Sequence, residues 1–508
     1  MECKYGAGIP GKVKRYIPWG ILLIAFSLLF IRLSFLCFWG DEAGVVEVIT
    51  RKIKHFYEGG HPCLYYIFAY LWTKIFGISE AGLRSFSSLC AIGTVFVSYK
   101  LISRVTDKKT ACLSILLLSL SPFFILFSRM GRYYSLTGLL SISSLYFFRN
   151  FFEKDDIKSK IFYTLVTAAL FYTEYFAGAT IIIIENLYVL FRKRNLLFLK
   201  KWFLSQLVIL LAFSPFIGIS VSQVTACYKD IPVELSTGLK SMVVKLFCIL
   251  YDFCFGETIL PLELWVVIPG VLVYLICFIN SIKRVGLLSI FLLLVLPISM
   301  VVFLTSGYTP AVPIAHIARI LLFIAPLCYA IISIGMLNLK NRVLRMGCFI
   351  IIVLISCYGL RNYFTKSHFI NPHYIIPWKE IVQDIKCKAL PGDRILTPDM
   401  CFEYYSKNLL DLTALSFYSI KSGIEDSACS RIWLVVRDRG QRNVVKRDNA
   451  SMDSLDKYGL KEIMQKGYVK LSPLDIYFKE KLLKREVWDY NVKVFLYAKD
   501  STGYRLSL

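Results

Sequence analysis

The sequence predicts an α-helical polytopic membrane protein with about eleven transmembrane helices and a small α/β extracytoplasmic C-terminal domain. Three observations carry that expectation. Hydrophobic residues make up 56% of the 508 residues and charged residues only 19%, against about 25% in a soluble domain. Apolar runs suited to a bilayer core, which takes about 20 helical residues, recur between residues 17 and 362. Basic residues recur in alternate connections, as the positive-inside rule requires. The 59 Lys and Arg exceed the 35 Asp and Glu by 24 charges. In a soluble chain that excess would suggest nucleic acid. Here it reports orientation, and no nucleic-acid partner is expected. The composition argues against a cytosolic enzyme, a DNA-binding module and a disordered scaffold.

The first run, 17–38, is too long for a signal-peptide core and no A-x-A-like cleavage site follows it, so it reads as a retained anchor. Further spans are expected at 81–103, 110–128, 133–150, 161–175, 176–191, 202–221, 262–282, 285–305, 317–337 and 344–362. The pair 161–175 and 176–191 is short for two crossings, but splitting it keeps the charge alternation intact. Lys4, Lys12, Lys14 and Arg15 place the N-terminus in the cytoplasm. The even-numbered connections are then basic: Lys100 to Lys109, Arg149 to Lys160, Arg192 to Lys201, Lys283 and Arg284, and Lys340 to Arg345. Eleven crossings put the tail outside. The expected location is the cytoplasmic (inner) membrane if the source is prokaryotic.

Two domains follow. Residues 1–362 form the membrane domain, with outer loops 39–80 and 222–261. Residues 363–508 form the extracytoplasmic domain. The first loop contains amphipathic stretches at 43–57 and 63–76, expected to lie along the membrane surface, and the second a helix near 236–254. The tail is richer in charge, with a helix at 378–386 and strands at 394–397, 432–436 and 492–498. The 15 Cys are scattered without metal-ligand spacing and read as small packing residues.

Charge stands out at four outer places. Asp41-Glu42 follow the first span directly. An acid at a membrane boundary needs water, a partner or a task. Asp41 is either a helix cap, with Glu42 in the first turn, or a carboxylate that takes a proton from an acceptor; the two are compatible. His61, before Pro62, is a packing histidine, a hydrogen-bond partner of the acidic site or a metal ligand. The turn Ser128-Arg129-Met130-Gly131-Arg132-Tyr133-Tyr134-Ser135 holds two arginines where topology expects few. It is either an interfacial anchor or a phosphate site. His316 and Arg319 open the tenth span, where Arg319 either snorkels or faces a polar cavity. Glu174 and Glu185 lie in or near spans five and six.

In this order these segments resemble the GT-C membrane glycosyltransferases, nearest to the protein O-mannosyltransferase and ArnT-like (glycosyltransferase family 39-like) branch. The resemblance rests on Asp41-Glu42, His61-Pro62-Cys63-Leu64-Tyr65-Tyr66, Ser79-Glu80-Ala81-Gly82-Leu83-Arg84, Ser121-Pro122 with Gly131-Arg132-Tyr133-Tyr134-Ser135, and Arg319-Ile320-Leu321-Leu322. It covers about 1–150 well and 300–340 weakly. It implies transfer of a sugar from a polyprenyl-phosphate donor to a lipid, glycan or protein acceptor on the outer face, within membrane lipid. Asp41, with Glu42, inherits the catalytic carboxylate role. Arg132, Tyr134, Arg319 and Arg129 inherit the donor phosphate, with His61, Tyr65, Arg84 and His316 supporting the site. Two departures stand out. Met130 replaces an acid the family often carries, and Cys63 replaces the second Pro of the His-Pro-Pro stretch. The resemblance implies no cofactor that is firmly required. A divalent metal is compatible with it, but the ligands used by some relatives are not recognisable here. Inversion at the anomeric carbon is expected.

Two rivals differ in class. A transporter or flippase for a lipid-linked sugar would explain many spans and buried charges, but no internal repeat is visible. A membrane scaffold with an outer sensory domain leaves the clustering of charge unexplained.

Overall fold

The computed structural model describes residues 11–51, 62–192, 195–222, 239–306, 318–391, 393–397, 399–407, 414–415, 431–437, 460–471, 476 and 489–499. The chain packs as two compact units. One comprises Met1–Leu33 with Glu47–Ile370, and the other Ser34–Val46 with Asn371–Leu508. The acidic segment expected within the first domain therefore packs with the tail.

The first unit is helical. In chain order it contains α1 (Gly11–Phe30), the end of α2 (Gly40–Thr50), α3 (Leu64–Phe76), α4 (Glu80–Val105), α5 (Lys108–Leu120), α6 (Pro122–Ser128), α7 (Tyr134–Lys154), α8 (Ile157–Phe171), α9 (Tyr175–Arg192), α10 (Leu196–Phe213), α11 (Leu239–Phe255) and α12 (Leu264–Val285). After these come α13 (Leu287–Ile290), a π-helical step, α14 (Leu296–Ser306), a 3₁₀ turn at Ala318–Ile324, α15 (Ala325–Asn338) and α16 (Arg342–Thr365). Among the described residues six helices are long and apolar enough to cross a bilayer, or seven if α5 and α6 form one span. The expected count of eleven is thus met only in part by length and composition. The remaining helices are shorter or more polar.

Sequence sets the breaks. Ser79 starts α4 by accepting the Gly82 N–H, and Asp107 starts α5 by accepting those of Lys109 and Thr110. Ser121-Pro122 ends α5 and opens α6, with Pro122 at the first helical position and a 63° bend between the two. The stretch 161–191 does break into two helices, parted by Tyr172, Thr173 and Glu174. At Gly335 an added Cβ would stand 1.7 Å from the Cys277 carbonyl oxygen, so α12 and α15 approach closely only because this position is glycine.

Two buried polar assemblies hold the helices in register. Glu185, fully buried, accepts from Ser144 at 3.0 Å and Tyr163 at 2.8 Å, and Gln206 donates to the same tyrosine. This ties α7, α8, α9 and α10 together. The second lies at the end of α1. Arg129 donates to the carbonyls of Leu28, Ile31 and Arg32, Arg84 to that of Leu33 at 2.8 Å, and Ser88 to that of Leu29. Cations thus satisfy carbonyls at the negative end of a helix dipole.

The second unit is a five-stranded mixed sheet with helices. It contains β1 (Arg394–Leu396), β2 (Ala414–Leu415), β3 (Arg431–Arg437), β4 (Leu460–Lys470) and β5 (Tyr490–Lys499), in the order β2-β1-β3-β5-β4. The first three are mutually parallel; β5 runs antiparallel to β3 and β4, with Trp433 opposite Leu496. Helix α17 (Trp378–Lys388) buries Trp378, Ile381, Val382 and Ile385, and α18 (Met400–Lys407) starts at the cap Asp399. The helix and strands expected at 378–386, 394–397, 432–436 and 492–498 are present. Strand β4 was missed because its sequence, LKEIMQKGYVK, is too polar to signal a buried strand.

Candidate active site

The acidic segment is placed by residues of the second unit. The Phe38 N–H donates to the Tyr405 hydroxyl at 2.7 Å, and the Trp39 ring meets Tyr374 edge-on at 5.0 Å. Trp39 is the residue before α2. Its N–H donates to Glu42 Oε2 at 3.4 Å, so Glu42 reaches back over the first turn as in a capping box. The capping expected of Asp41 therefore falls to Glu42, which is fully buried, while Asp41 is half-buried.

The arginine-tyrosine turn lies in the first unit, between α6 and α7. The Arg132 guanidinium stands 5.2 Å from the Tyr133 ring centre and 6.0 Å from that of Tyr134. The Arg319 guanidinium stands 5.8 Å from the same Tyr134 ring. Two cations from distant parts of the sequence thus converge on one tyrosine. The turn is braced from below: Tyr65 and Ser87 hydroxyls lie 3.3 Å apart, and Ser87 donates to the Arg132 carbonyl. Burial pushes the Tyr133 phenol well above its usual range, with Tyr134 and Glu174 adding to the effect and Arg132 and Arg319 opposing it. Those charges therefore share one neighbourhood.

Other expected residues fall elsewhere. Arg129 and Arg84 hold the end of α1, and Arg129 also lies over the rings of Tyr363 and Phe364. Glu174 caps α9, accepting the N–H groups of Phe176 and Ala177. His61 and His316 lie outside the described residues. Among the described residues no three His, Cys, Asp or Glu side chains are grouped to hold a metal ion.

Sequence reasoning missed Asp252 and Glu257, at and just beyond the end of α11. They are 3% and 0% exposed. Asp252 Oδ2 and both Glu257 carboxylate oxygens have no hydrogen-bond partner among the described residues. Burial pushes both carboxyl groups well above the usual range. Asp252 adds to the effect at Glu257, and Arg319 opposes it. The sequence does not single them out: they are two of four acids, with Asp230 and Glu234, in an outer connection that also holds three lysines.

Comparison with known proteins agrees with this architecture. Residues 60–219 match the family described as dolichyl-phosphate-mannose-protein mannosyltransferase. The structure aligns with ArnT from Cupriavidus metallidurans bound to undecaprenyl phosphate at a TM-score of 0.58 and 10% identity, covering 96% of this chain and 98% of that one. The apo state of the same ArnT gives 0.58 and 11%, with the same coverage. An Aquifex aeolicus (strain VF5) protein named only as uncharacterized is 48% identical over 65 residues, a stretch spanning 13% of each chain. The chain thus has a GT-C fold and, over part of its membrane unit, a protein-mannosyltransferase-like sequence.

Proposed function

We propose, from that fold and that sequence match, that the chain is a glycosyltransferase acting on the outer face of the membrane with a polyprenyl-phosphate-linked sugar as donor. The observation that carries the reading is the convergence of Arg132 and Arg319 on Tyr134. A lipid phosphate needs fixed cations near the bilayer edge, and two guanidiniums held against aromatic faces supply them. ArnT, whose fold is similar, is described bound to undecaprenyl phosphate.

In the proposed reaction an acceptor hydroxyl or amine attacks the anomeric carbon from the face opposite the phosphate. The bond from that carbon to the phosphate oxygen breaks, and the polyprenyl phosphate leaves. The acceptor proton passes to the Asp41 carboxylate, and the configuration at the anomeric carbon inverts. The arginines stabilise negative charge growing on the leaving phosphate. Glu42, which caps α2, fixes the backbone that carries Asp41.

The test is transfer by the purified chain from polyprenyl-phosphate sugars to lipid, glycan and peptide acceptors. Asp41→Asn should lower kcat by about 10²–10⁴-fold, the usual contribution of a general base, and leave donor affinity near the wild-type value. Equal turnover by both proteins would remove Asp41 from the role. Absence of transfer with every donor, together with donor movement across vesicle bilayers, would favour a transporter.

A further inference from the structure

We propose that Asp252 and Glu257 form a subsite for the sugar hydroxyls of the lipid-linked donor. The proposal rests on the phosphate role given above to Arg319.

The two acids are placed against every ordinary preference. They stand at the C-terminal end of α11, where the helix dipole is negative and a cation is favoured, and no basic residue occupies the last turn. Both are almost wholly buried, and three of their four carboxylate oxygens have no hydrogen-bond partner among the described residues. Buried polar groups nearly always find partners, so an unpartnered pair needs an explanation such as an absent ligand.

The backbone around them is fixed. The Gly256 N–H donates to the Asp252 carbonyl at 2.8 Å, the Ile370 N–H to the Glu257 carbonyl at 2.9 Å, and the Tyr329 hydroxyl to the Phe253 carbonyl at 2.8 Å. The Gly256 φ is +70°, and a Cβ there would stand 2.8 Å from the Phe123 N. A glycine therefore turns the chain between the acids.

The ligand chemistry follows from the neighbours. Glu257 feels the charge of Asp252, and a buried carboxyl group offers acceptors when ionised and an O–H donor when protonated. A sugar hydroxyl offers one donor and accepts as well, so vicinal hydroxyls match such a pair. Glu257 lies within electrostatic reach of Arg319, which faces Tyr134. In a glycosyl phosphate the sugar is joined directly to the phosphate. A cation that holds the phosphate therefore brings the hydroxyls to its acidic neighbours.

The test measures binding of the full chain in nanodiscs to undecaprenyl phosphate and to the same lipid phosphate carrying mannose, glucose or arabinose. At least one sugar-bearing lipid should bind wild type on the order of tenfold more tightly than the bare lipid. Asp252→Asn and Glu257→Gln should each remove that advantage, keep the bare-lipid affinity and leave the melting temperature equal or raised. Equal binding of all lipids by wild type would overturn the subsite and leave the donor reading standing. Retained sugar preference in both variants would do the same, as would equal loss for all lipids with a lowered melting temperature. A melting rise with Mg²⁺ or Mn²⁺ alone, abolished by the variants, would replace the sugar with a metal. Binding of none of the lipids by wild type would overturn the donor reading and the subsite together.

Discussion

The ends of α1 and α11 handle charge in opposite ways. At α1 the carbonyls accept side-chain hydrogen bonds from Arg129, Arg84 and Ser88, so the negative end meets cations. At α11 the negative end meets Asp252 and Glu257, with carboxylate oxygens unpartnered and buried. The first arrangement stabilises the fold through hydrogen bonds to the carbonyls at the helix end. The second costs stability and gains from a ligand. In a chain this apolar, the presence of a charge therefore says less than what satisfies it. Arg129 and Arg132 stand three residues apart, yet only Arg132 joins Arg319 at the face of Tyr134.

The sharpest way to break the contrast is Arg129→Met, which keeps much of the volume and removes the guanidinium. Three carbonyls lose their donor in a site only 2% exposed. The expected loss is about 3 kcal/mol, the scale of one or two charge-assisted hydrogen bonds. Thermal unfolding in detergent measures it. An unchanged melting temperature would show that α1 does not depend on the cap.

Glu174 gives an intermediate case. It stands at the favourable, positive end of α9 and accepts two backbone N–H bonds, which pull its pKa down. Burial outweighs them and pushes the carboxyl up to about 7. The folded pKa is raised, so the folded chain binds more protons than the unfolded chain between about pH 4.5 and 7. Stability should fall as pH rises through that window, by at most about 3 kcal/mol. Glu174→Gln should flatten this part of the melting-temperature profile; an unaltered slope would assign the pH dependence elsewhere.

Much of the fold was legible because its signals are local. Ser79 marks the start of α4 by its own side chain, and Asp107 and Ser121-Pro122 do the same for α5 and α6, although the span expected at 110–128 ran through the bend at Ser121-Pro122. The core strands β1, β3 and β5 announce themselves as short apolar runs. Strand β4 does not, because it pairs with β5 at the edge and exposes polar residues. The site was harder to read for the same reason. The meeting of Arg132 and Arg319 at Tyr134 joins positions 187 residues apart, and the structural use of Arg129 depends on where α1 ends. The packing of Ser34–Val46 with the tail unit is a long-range fact that no local pattern encodes. Asp252 and Glu257 drew no attention in the sequence because burial, not residue type, makes them unusual.

The smallest expected effect is the most discriminating for the acidic pair beside Trp39. Glu42 lies at the positive end of α2 and accepts the Trp39 N–H over a long 3.4 Å bond, so its contribution is a cap of modest strength. Glu42→Ala should cost about 1 kcal/mol, in the range of helix N-terminal caps. Glu42→Gln retains an acceptor at the same place, so it should recover most of that stability. If Glu42 acts only through the backbone beneath Asp41, Glu42→Gln should also retain most of the turnover that Asp41→Asn loses. A normal melting temperature combined with a turnover loss equal to that of Asp41→Asn would move the base from Asp41 to Glu42. Paired melting and transfer measurements on the three variants would therefore separate the acid that shapes the helix start from the acid that takes the proton.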